Sequence, residues 1–190
     1  MIAPDKSVLE RVARGISRPG GGAPTGVTAS ILAQSARSYG ARPILDEATV
    51  PTGFDPVAAA LFEATVEAAF LVASADGVFD DDERAAFETV VAMACDNKVQ
   101  APQLHALLAD LREQLIEDGM DKRTRMVALT ITRRDHQIEV LRIAALMAHI
   151  SGGVSVPELH VLEQLAKGFN LDGASLQLAL NEAEIALKNA

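Results

Sequence analysis

At 190 residues, with 49% hydrophobic side chains and no tryptophan, the chain holds enough apolar material for one substantial core and is short for two full domains. Its formal charge of −9 is uneven: residues 1–53 carry six Lys/Arg against four Asp/Glu, a net of +2, so the remainder stands at −11 and would repel a nucleic-acid backbone. Cys95, the single cysteine, excludes an intramolecular disulfide and reads as a small apolar residue near a helix end.

The first six residues, Met1-Ile2-Ala3-Pro4-Asp5-Lys6, lead into no apolar run, so no secretory signal is expected and the chain reads as cytoplasmic. Residues 1–53 form an arm rich in chain-breaking residues, with seven of the 13 glycines and five of the eight prolines. Its Pro19-Gly20-Gly21-Gly22-Ala23-Pro24 run is linker chemistry. Helical spacing appears on either side, at Val8, Leu9, Val12 and Ile16 over residues 6–16, and at Ile31, Leu32 and Ser35 over residues 27–39. Both segments are near the length at which an isolated helix is marginal in water. They either fray as a tail or dock on the body, on a second copy, or on a larger partner.

From Phe54 the periodicity is strong. Residues 55–75 place Val57, Ala58, Leu61, Ala68 and Val72 on one stripe and Phe62, Val66, Phe70 and Ala73 on another, with Glu63 and Glu67 as polar relief. Residues 135–150 are similar, their polar groups confined to Glu139, Arg142 and His149. Helices this apolar on most sides belong at the centre of a fold, and these charges argue against membrane spans. One-faced helices follow from Leu104 to Leu115, Leu159 to Phe169 and Leu176 to Leu187, with a short connecting helix over residues 121–132.

These segments correspond in pairs. A shift of 75 positions lays residues 68–83 on 143–158, with Ala69 on Ala144, Leu71 on Leu146, Gly77 on Gly152 and Glu83 on Glu158. The expectation is an all-α bundle of about seven helices over residues 54–190, with an internal two-fold repeat, residues 54–118 and 135–189, preceded by the Gly/Pro-rich arm.

The loop in the first copy, Ala75-Asp76-Gly77-Val78-Phe79-Asp80-Asp81-Asp82-Glu83, packs five carboxylates into eight residues. Gly77 suits the positive φ that ends a helix, and Asp80 with Glu83 makes a capping box that Ser155 and Glu158 repeat. Capping leaves Asp76 unexplained, because a carboxylate at a helix C-terminus faces the negative end of the dipole. A hard cation such as Ca²⁺ could offset it with oxygens from Asp76, Asp80, Asp82 and Glu83, although the spacing is not that of an EF-hand.

Ala75-Asp76-Gly77, Phe79 and Glu83, at the turn between an apolar and an amphipathic helix, resemble the TerB-like family of tellurite-resistance and co-chaperone-associated domains. The resemblance spans about residues 54–190. It implies a seven-helix all-α fold, cytoplasmic location, a role linked to metal or envelope stress, and a divalent-cation site formed by the loop acids. Ser151 in place of the aspartate makes a second such site degenerate, and the arm has no counterpart in compact members.

No close ligand spacing joins His105, His136, His149 and His160, and no phosphate-binding glycine loop or nucleophile elbow occurs. Glu139 and Glu163 read as solvent-facing. The leading expectation is therefore a non-enzymatic interaction domain with a protein partner and a divalent cation at the first loop. The alternative is a scaffold subunit whose arm tethers it to a larger complex or exchanges in a homo-oligomer. Peripheral membrane attachment is the weakest option, because the arm's basic residues are dispersed.

Overall fold

The computed structural model describes residues 5–42, 53–77 and 79–189, and among these residues the chain is all-helical, with nine α-helices, one short 3-10 turn and no strand. Two helices belong to the arm, α1 (Lys6–Ser17) and α2 (Ile31–Gly40). The body follows with α3 (Pro56–Ala73), α4 (Asp81–Ala94), α5 (Ala101–Asp118), α6 (Met120–Thr130), α7 (Arg134–Ala148), the 3-10 turn (His149–Ser151), α8 (Val156–Gly168) and α9 (Gly173–Lys188).

The helix starts follow from side-chain chemistry. Asp5, Ser30, Asp55 and Asp172 each accept a backbone N–H of the first turn, satisfying donors that the helix itself leaves unpaired. Ser30 explains why α2 begins later than the apolar spacing over residues 27–39 suggests. Its hydroxyl accepts from the Ala33 N–H at 3.2 Å, while Gly26 turns the preceding chain at φ +93°.

α3 and α7 lie against each other at the centre. Every residue from Ala64 to Val72 and from Glu139 to Ala148 is buried, as expected of helices that are apolar on nearly all sides. α3 is also the one helix among the described residues long and apolar enough to cross a membrane, and its burial between other helices accounts for that composition. α9 packs on α7, and α6 bridges α3 and α8.

The arm helices complete this core. α2 lies along α3, and Tyr39 stacks on Phe62 with ring centroids 4.7 Å apart. α1 packs on α4, α7 and α9, burying Val12 and Ile16 completely. Of the alternatives open for these two segments, docking on the protein's own body is what the structure shows. Cys95 is fully buried in the same core, where loss of hydration pushes its thiol up to about 12, so it packs as a small apolar residue.

Candidate functional site

The acidic loop leaves α3 through Gly77, whose φ of +84° is open to glycine and strained for other residues. Phe79 anchors it, with edge-to-face contacts to Phe70 at 5.1 Å and Phe87 at 5.9 Å between ring centroids. Asp80 then opens α4. Its Oδ1 accepts the Glu83 N–H at 2.9 Å, and Glu83 Oε2 accepts the Asp80 N–H at 3.1 Å, completing a reciprocal capping box. The turn between α7 and α8 has the same chemistry. Gly152 takes φ +112°, the Ser155 hydroxyl accepts the Glu158 N–H, and Glu158 Oε2 accepts the Ser155 N–H at 2.7 Å.

The two boxes meet. Glu83 and Glu158 line one small cavity of about 30 Å³ together with Phe79, Phe87, Met147 and Ser151. Partial burial holds the Glu83 carboxyl above its usual range, reinforced by the negative charges of Asp80, Asp76 and Glu158, while the bond from the Asp80 N–H opposes the rise. A folded-state value above the unfolded one means that ionising Glu83 weakens the fold as pH rises through that range. A bound cation would reverse that penalty.

Of the four residues the sequence assigns to a cation, the structure joins Asp80 and Glu83 through the capping box and leaves Asp76 and Asp82 exposed. Among the described residues, no three His, Cys, Asp or Glu side chains are already gathered as a metal-binding group. Asp80 Oδ2 and Glu83 Oε1 lie outside the capping bonds, so a cation would draw on those oxygens and on movement of the exposed neighbours. Glu158, which in the sequence carries only the signature of a cap, is the neighbour that the fold adds. Its signal was the alignment of Glu83 with Glu158.

Capping has its own test. Glu83→Ala is expected to cost about 1 kcal/mol. Glu158→Ala is expected to cost more, because this carboxylate is buried and its loss strands the Ser155 N–H. Urea unfolding of both variants checks the order, and equal, negligible losses would remove the structural role of the boxes.

Two buried ion pairs lie elsewhere. On α6, Arg123 reaches Glu67 at 2.6 Å and Asp118 at 3.2 Å, and burial raises the Glu67 carboxyl against the pull of Arg123. On α7, Glu139 is buried, which corrects its placement on a solvent face. It pairs with Arg142 at 2.8 Å, and its Oε2 accepts the Gly20 N–H at 3.0 Å. Glu163 is exposed beside His160 on α8. His105 faces Glu88 at 3.1 Å.

No family model, curated protein or solved structure matches the chain.

Proposed function

We propose that the chain is a non-enzymatic, TerB-like interaction domain, linked to metal or envelope stress, in which a divalent cation binds where the acidic loop meets the turn before α8. The observation that carries this reading is that Glu83 shares a small cavity with Glu158 and lies in the negative field of Asp76, Asp80 and Glu158. A hard cation with oxygen ligands, Ca²⁺ first, relieves such a cluster. In this reading the body is the duplicated seven-helix unit, with the two capped turns as the matching points of its halves and only the first retaining the full acidic set. Binding a cation would stiffen the loop and set the surface offered to a protein partner in the cytoplasm.

The test is thermal unfolding during titration with Ca²⁺, Mg²⁺ and Mn²⁺. A ligand specific to the folded state stabilises it by about 2.7 kcal/mol at a hundredfold excess over Kd. Glu83→Gln preserves a capping acceptor while removing the charge, so it should fold normally and lose the shift. No shift with any of the ions, or an undiminished one in Glu83→Gln, would end the cation reading.

The alternative reading is a scaffold subunit. The apolar faces of α1 and α2 are spent inside the core, so a tether would use their outer, polar faces, or a second copy would exchange both helices.

A further inference from the structure

A cleft of about 510 Å³ lies between α1, the 3-10 turn after α7, and α9. Val8 and Leu187 give it apolar surface over the buried Val12, and Arg11, Lys188, His149 and Glu184 supply its charged and titratable groups. Excess positive charge in such a cleft is unusual in a chain of net −9. The Arg11 side chain is exposed and forms no hydrogen bond or salt bridge among the described residues, and its charge makes a small contribution to holding the Asp5 carboxyl low. Lys188 has only an exposed pairing with Glu184 at 3.8 Å, a contact weak enough to be given up.

We propose that this cleft binds a soluble phosphomonoester, with Arg11 and Lys188 holding the phosphate and Val8 and Leu187 covering the organic part. A guanidinium offers paired donors matched to phosphate oxygens, and an ammonium adds a point charge. The cleft is in the volume range of small-molecule sites and much larger than inorganic phosphate needs, so an organic substituent belongs to the ligand.

His149 is half-buried in the cleft wall, its ring beside Gly153. Burial lowers its pKa, and Glu184 on α9 and Glu158 on α8 pull it back up. A dianion placed among Arg11, Lys188 and His149 would favour the protonated ring, which then donates a third hydrogen bond.

The experiment is an NMR titration of the full chain with inorganic phosphate and with phenyl phosphate, ionic strength being held constant with sodium chloride. The expected result is saturable shifts of the His149 ring and the Gly152 amide, with phenyl phosphate binding at least threefold more tightly than phosphate. Arg11→Gln and Lys188→Gln alter exposed side chains, so the fold should persist while affinity falls at least tenfold for Arg11→Gln. Arg112→Gln, an exposed position on α5, should leave affinity unchanged. Shifts that fail to saturate, or that survive both cleft substitutions, would overturn the proposal. Co-sedimentation with phosphatidic acid vesicles, without a response to either soluble phosphate, would also overturn it in favour of a lipid surface.

Discussion

Arg142→Ala is expected to destabilise the fold by about 3–5 kcal/mol, because it leaves the Glu139 carboxylate buried with its cationic partner removed. The guanidinium is also the clasp between the arm and the body. Nη1 donates to the Gly15 carbonyl at 3.0 Å and Nη2 to the Arg18 carbonyl at 2.7 Å, while Glu139 and, on α9, Glu182 accept the N–H groups of Gly20 and Gly21. Removing Arg142 therefore strands two carbonyls at the end of α1 as well as a charge. Urea unfolding should show a lower midpoint, and proteolysis should accelerate at residues 18–29, where the clasp lets go. Glu139→Gln/Arg142→Met should be more stable than Arg142→Ala, because it removes both charges and keeps apolar volume. If Arg142→Ala unfolds within about 1 kcal/mol of the parent, the clasp carries none of the arm's attachment.

That clasp also marks where reading the sequence stops. The period of α3 and α7 was visible in their residues, and so was their burial, because a helix apolar on nearly all sides belongs at the centre of a helical bundle. Asp80 with Glu83 and Ser155 with Glu158 were legible because capping is local, involving residues three apart. Glu139 and Arg142 are also three apart, and that spacing is equally the signature of an exposed helical ion pair. What makes them internal is the main chain of residues 15–21, more than a hundred positions away, and no local period carries that information. The arm was ambiguous for the same reason. Val12 and Ile16 show that α1 has an apolar face, whereas the surfaces receiving it come from α4, α7 and α9. In the acidic loop, composition showed the density of charge, and packing showed that Glu158 joins it.

Gly40→Ala should have a comparably local cause and a large effect, a loss of about 3 kcal/mol. A Cβ at this position would overlap the backbone carbonyl oxygen of Lys98, and backbone on backbone leaves no rotamer through which to escape. The requirement is close approach, since Gly40 is not among the positive-φ residues and α2 ends on Ala41 at φ −83°. The same crossing carries a bond from Gln103 Nε2 to the Gly40 carbonyl at 3.3 Å, tying the arm to the start of α5. Displacing it would move the neighbouring Tyr39 off Phe62. Tyr39 is the chain's only tyrosine and there is no tryptophan, so intrinsic fluorescence reports on this contact alone. Gly40→Ala should show both a lower unfolding midpoint and an altered native fluorescence. Gly173→Ala, where a Cβ meets open space at the start of α9, should change neither signal adversely and supplies the control. If Gly40→Ala keeps parental stability and fluorescence, α2 does not need the close crossing at Lys98, and its attachment rests on the Tyr39–Phe62 face instead.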